Sequence, residues 1–174
     1  MTTTNAPSAK DLAFSDVERE MRVTRRVLEA VPEEKFAWKP TEKSMTLQKM
    51  AHHVAQMPEW MVLTLSKDDL DFANAPKPVL PETKKDLLEF FDRQVAELRK
   101  VIASYDMARM AGTWTIRQGQ QVITSQPRLL AFRVWCMNHL IHHRGQLCMF
   151  LRLLNVPVPP VYFNSADKPE MTFE

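Results

Sequence analysis

From Pro127 to Leu154 the chain reads PRLLAFRVWCMNHLIHHRGQLCMFLRLL, and its periodicity sets the architecture. Proline is tolerated at a first helical position, where its missing N–H would have no partner in any case. No further proline occurs before Pro157. The stretch therefore predicts a single helix from 127 to 154, about 40 Å long at helical rise. Advancing about 100° per residue from His143 brings Phe132, Cys136, His139, Leu147, Phe150 and Leu154 within about 40° of one line. A stripe so apolar must be covered by other helices.

Three partners are readable upstream. Ala13, Val17, Met21, Thr24, Leu28 and Val31 recur at steps of four and three, predicting a helix over about 11–31 that Pro32 ends. Leu47, Met50, Val54, Met57 and Met61 predict a second over about 45–65, with a kink at Pro58 because the same face resumes beyond it. Leu87, Phe91, Val95, Leu98 and Ile102 predict a third over 82–105. Residues 66–81 hold Asp68, Asp69, Pro76, Pro78 and Pro81, which suits a crossover loop. Thr113 to Ile116 and Val122 to Thr124, with Gly119 between them, predict a short β-hairpin before the last helix.

The expected fold is all-α: a four-helix bundle with one long crossover connection and a short hairpin, as one domain over 1–174 with residues 1–9 disordered. Three glycines among twelve prolines fit long helices with stiff connections. A net charge of +2 supplies no field for nucleic acid or an anionic bilayer. Residues 1–9 (MTTTNAPSA) lack the basic start and apolar run of a secretory signal, and no uninterrupted apolar stretch is long enough to span a bilayer. No nucleic-acid or membrane partner and a cytoplasmic location are expected. Cys136 and Cys148 on one helix would stand about 18 Å apart, too far for a disulfide.

The five histidines fall in two clusters, His52 and His53 on the second helix and His139, His142 and His143 on the fourth. His139 and His143, at i and i+4, point the same way from the apolar stripe, and His142 lies about 100° off it. His53 sits at the edge of the Met50, Met57 and Trp60 arc, whereas His52 points nearly opposite it. Burying imidazoles among Leu, Phe and Met is costly unless their nitrogens find partners. Either ordinary hydrogen bonds satisfy them or one divalent transition-metal ion takes His53, His139 and His143 as ligands. Cys136, one turn before His139, is either a fourth ligand or a buried thiol. Gln146 either contacts a bound water or substrate or makes an interhelical hydrogen bond. His52 and His142 read as surface or supporting residues.

The run Asn138-His139-Leu140-Ile141-His142-His143-Arg144-Gly145-Gln146-Leu147, continued by Leu151 to Pro159, resembles the DinB/YfiT-like superfamily. Leu47 to Ala55, with Pro58 and Trp60, resembles that family's first-histidine motif with His53 at the ligand position, and Trp114 to Ile123 resembles its hairpin. The likeness spans nearly the whole chain. It implies a four-helix bundle, frequently dimeric, whose three histidines carry zinc, nickel or a similar ion with water in the remaining positions. Relatives include thiol-dependent S-transferases and an isomerase that use low-molecular-weight bacterial thiols, while many members have no assigned activity. The family's connection to DNA damage is one of induction.

Three functions are then open: a thiol S-transferase acting on small electrophiles, a metal-dependent hydrolase, and a non-catalytic metal-binding stress-response protein. Gln146 and Trp60 are the candidate substrate contacts. A homodimer is expected from the resemblance and from apolar residues off the main stripes, such as Val62 and Val134.

Overall fold

The computed structural model describes residues 6–168. Ser8 caps a short first helix, α1 (Ala9–Ala13), through a reciprocal box with Asp11. The expectation of disorder over residues 1–9 thus falls, for 1–5, outside the described residues. After a break at Phe14–Asp16 comes α2 (Val17–Glu29), so the continuous helix expected over 11–31 is two. Phe14 turns inward at the break, its ring edge-on to Tyr105 at 6.0 Å and Phe132 at 5.4 Å. Burying a large aromatic there offsets the lost helical turn.

The helix α3 (Leu47–Ser66) starts on Thr46, whose hydroxyl accepts from the Lys49 backbone N–H, and runs through Pro58. Met50, Val54, Met57 and Met61 are buried as the spacing predicts, but Ala51, His52, Ala55 and Pro58 on other faces are buried too. This helix is enclosed on several sides. Next to it in the core packs α4 (Lys84–Ser104), opened by a capping box between Thr83 and Asp86.

The all-α expectation is overturned by a three-stranded mixed sheet. Strands β2 (Thr113–Gln118) and β3 (Gln121–Pro127) form the expected antiparallel hairpin, turning at Gly119 with φ +59°. A third strand, β1 (Asp69–Asp71), lies parallel to β2, inside the segment expected to be loop alone. Arg117 holds it, donating from Nε to Asp69 at 2.8 Å and from Nη1 to Asp71 at 2.7 Å. Leu70 packs beside Trp114, Ile116 and Ala131 in a small separate cluster. The acidic residues that look like loop punctuation are the strand's side-chain anchors.

The final helical stretch is continuous but not uniform: α5 (Arg128–Ala131), a π-helical segment (Phe132–Asn138), and α6 (His139–Leu153). Arg128, buried at its start, donates to the Thr64 and Lys67 carbonyls and to Asp68, capping the C-terminal end of α3. Asn155, with φ 57°, closes α6 while the Val156 N–H bonds the Leu151 carbonyl at 2.9 Å, the arrangement in which a left-handed residue satisfies the last carbonyls. Among the described residues no helix is long and apolar enough to cross a membrane.

Candidate metal centre

Three histidines from two helices meet between α3 and α6. His53 projects from α3, His139 opens α6, and His143 follows one turn later. Their ring centroids are 5.0 Å apart for His53–His139, 4.5 Å for His53–His143 and 4.6 Å for His139–His143. The Nε2 atoms of His53 and His139 are 3.1 Å apart. One nitrogen from each of the three rings lies within 4.8 Å of the others, a set found nowhere else among the described His, Cys, Asp and Glu residues.

The π segment explains where the pair points. Its i→i+5 pattern shifts the helical phase by comparison with a regular α-helix, and such segments recur at functional sites. Phe132, Cys136, Leu140 and Leu147 are fully buried, while His139 and His143 stay half-buried at the edge of that stripe. Cys136 instead faces the core, its Sγ 3.4 Å from the Thr64 hydroxyl. Burial pushes its thiol up to about 12, so it is a buried protonated thiol in the protein as described.

Burial lowers the pKa of all three histidines. His53 falls from 6.5 to about 4, through burial first and then the charges its neighbours His143 and His139 would carry. Burial likewise lowers His139, against a hydrogen bond with the Trp135 backbone, and lowers His143 against its bond to Gln146. Neutral imidazoles therefore face one another at pH 7, each with a lone pair to give. The Gln146 Oε1 is 2.7 Å from His143 Nδ1. An amide oxygen only accepts, so Nδ1 carries the proton and Nε2 is left as a donor atom. Two nitrogens at about 2.0–2.1 Å on a tetrahedral ion would stand about 3.3 Å apart, close to the 3.1 Å seen. In donor type, in the spacing of His53 and His139 and in the orientation of His143 the residues fit such an ion.

The model of the DinB family matches residues 1–172. The chain belongs to the DinB family. Its fold is similar to a DinB-like protein from Bacillus cereus ATCC 10987, at 16% identity and TM-score 0.65, covering 86% of this chain and 95% of that one. It is also similar to a DinB-like protein from Bacillus subtilis, at 16% identity and TM-score 0.69, covering 87% and 97%. No curated protein matches.

The other residues singled out in this DinB chain divide by position. Trp60 stands edge-on to His53 at 6.1 Å and His139 at 5.7 Å, with Phe72 6.0 Å beyond it. Gln146 is engaged with His143 on the same helix, not with another helix. His142 is exposed, 4.8 Å ring to ring from His143. His52 is buried against α4, not at the surface. Arg144, beside the motif in sequence, points away from it into the core and pairs with Glu20 at 2.6 Å. Glu20 stands on the buried face of α2, three residues after Val17 and four before Thr24, so its phase is inward, but nothing in the periodicity names Arg144 as its partner.

The depressed His53 predicts how stability depends on pH without metal. Between pH 6.5 and about 4 the unfolded chain binds a proton at His53 that the folded chain does not. The stabilisation is full above pH 6.5 and falls as pH drops through that window, with His139 and His143 acting in the same direction. Urea midpoints of chelator-treated protein at pH 7.5, 6 and 5 should fall in that order, and the His53→Gln variant should show a flatter profile. A midpoint independent of pH across this range would contradict it.

Proposed function

We propose that the protein binds one zinc or nickel ion through His53, His139 and His143 and uses it to transfer a low-molecular-weight thiol to a small electrophile. The observation that supports this most is the set of three converging neutral imidazoles with no carboxylate or thiolate of the described chain joining them, since three protein ligands with an open position characterise catalytic zinc. A bound ion of this kind lowers the pKa of a thiol or water at its open position. The chain's own part is positional. His143 is held in one orientation by Gln146, and Trp60 stands edge-on to His53 and His139 with Phe72 beyond it, an aromatic side to the site. In the reaction the thiol proton leaves to solvent, sulfur bonds the electrophilic carbon, and the leaving group departs with its electron pair.

A cobalt-substituted sample tests this. Adding a small thiol should change the visible spectrum, and the loaded protein should consume thiol with a haloaromatic faster than a His143→Ala control. An unchanged spectrum at millimolar thiol would sink the transferase reading.

We further propose a homodimer, supported by the exposed apolar residues Leu129, Leu130 and Val134 near the start of the last helix. Val62 is packed into the chain's own core and is less available. Sedimentation equilibrium should give twice the monomer mass, and a monomer at high micromolar concentration would count against this.

A further inference from the structure

Phe72 directly follows β1 and is 36% exposed, a large apolar ring left in water one aromatic neighbour away from the histidine triad. The turn that carries it is fixed by the Asp71 carboxylate. Asp71 accepts from the Ala73 N–H at 3.0 Å, the Gly119 N–H at 2.9 Å, the Asn74 side-chain amide at 2.8 Å and Arg117 Nη1 at 2.7 Å, and its side chain is 8% exposed. An aspartate that bonds the backbone two residues on is a common way of setting a tight turn. The Phe72 N–H donates to the Arg117 carbonyl at 2.9 Å, which ties the residue itself to the sheet.

Fixed in this way, the Phe72 ring lies 6.0 Å from Trp60 with the planes at 48°. Trp60 is half-buried and stands 5.7 Å from His139 and 6.1 Å from His53. The rings therefore form a row that leads from an exposed position to the triad, in steps of 6.0 and 5.7 Å. An exposed ring held by its backbone in advance is suited to receiving a ligand, because little ordering remains to be done on binding, and loop residues held by a rigid scaffold are where binding groups concentrate.

We propose that Phe72 and Trp60 set the substrate preference of the metal centre by receiving the aryl group of an aromatic electrophile, with Phe72 as a specificity-determining residue and Asp71 as a positioning residue. The inference rests on the thiol-transfer reading of that centre. Aromatic rings attract one another in offset or edge-on arrangements, so an aryl group on the exposed side of Phe72 gains an interaction that an aliphatic electrophile does not. An electron-poor ring suits the electron-rich faces of both side chains. In the transfer, the thiol sulfur bonds the ring carbon that carries a halide, the halide leaves with its electron pair and the thiol proton goes to solvent.

The test has two arms on the zinc-loaded protein. In the first, without thiol, the chain labelled with nitrogen-15 at tryptophan is titrated with 1,3-dinitrobenzene, which has no leaving group. The Trp60 indole resonance, assigned by its loss in Trp60→Phe, should shift saturably, and that of Trp114, 1% exposed, should not. Phe72→Ala should weaken binding about fivefold. Phe72→Tyr should restore it, and Asp71→Ala should weaken it although the ring is still present. In the second arm, with thiol, the preference in kcat/KM for 1-chloro-2,4-dinitrobenzene over iodoacetamide should fall about fivefold in Phe72→Ala, through KM. No shift of Trp60 at millimolar probe, or affinity indifferent to both Phe72→Ala and Asp71→Ala, would overturn the proposal. Transfer with an unaltered preference in Phe72→Ala would overturn it and leave the metal-thiol reading standing. Saturable, Phe72-dependent binding without any transfer would remove that reading and leave the aryl-binding assignment supported.

Discussion

Replacing His53, His139 or His143 singly with alanine is expected to abolish stoichiometric binding of zinc or nickel. The three rings offer nitrogens within 4.8 Å of one another, so removing any one leaves two ligands on an ion that needs at least three from the protein to be held in a site of this type. Loss of a group that only orients a ligand typically costs about 10–100-fold in affinity. That range is the expectation for Gln146→Ala, whose amide oxygen fixes His143, and each ligand substitution should exceed about 100-fold by the same scale. His52→Ala and His142→Ala should keep the metal, since the first faces Phe90 and the second is exposed. Competition against a chromogenic chelator, with elemental analysis of the purified variants, reads all six. If the His52 variant lost metal and the His53 variant kept it, the assignment would be wrong.

The second large effect lies away from the metal centre. Arg144 and Glu20 are 1% and 3% exposed and pair at 2.6 Å. Arg144 also donates to the Thr24 hydroxyl at 3.1 Å and the Tyr162 hydroxyl at 2.9 Å. Removing one partner strands a charge in a site that water does not reach. Either Arg144→Met or Glu20→Gln should therefore cost about 3–5 kcal/mol. At about 2–4 °C per kcal/mol for a chain of this size, the midpoint of thermal unfolding should fall by roughly 10 °C. The double variant Glu20→Leu with Arg144→Met leaves no stranded charge and should recover most of that loss, because buried pairs exchanged for apolar residues of similar volume are often neutral or better. Thermal melts of the metal-free proteins, which separate this from any change in metal affinity, decide it. Single variants within 1 kcal/mol of the parent would show that the pair is worth far less than its burial implies.

What the sequence reveals follows from where its patterns are strong. The stripes of α3 and α4 are long and regular, and their predicted apolar residues are almost all buried. The i, i+4 spacing of His139 and His143 survives because both lie beyond the π segment, in regular helix. Strand β1 is hidden because three residues with one apolar side chain carry no period, and its pairing depends on Arg117, distant in sequence. The break between α1 and α2 is hidden because Phe14 fills the core at a position where a helical stripe would also place an apolar residue. His52 is misread for a different reason. A helical wheel assumes one buried face, whereas α3 is covered on several sides, so the direction away from the methionine arc leads into α4 and not into solvent. Glu20, Arg128 and Arg144 are charged residues whose burial depends on partners far along the chain, and no local pattern names those partners.

The most direct test of the central claim is X-ray absorption at the metal edge of the zinc-loaded protein. Three imidazole nitrogens at about 2.0–2.1 Å, with the remaining coordination from light non-protein atoms that a small thiol replaces with sulfur, is the result expected from His53, His139 and His143 with an open position. A sulfur ligand before thiol is added, or fewer than three imidazoles, would contradict it.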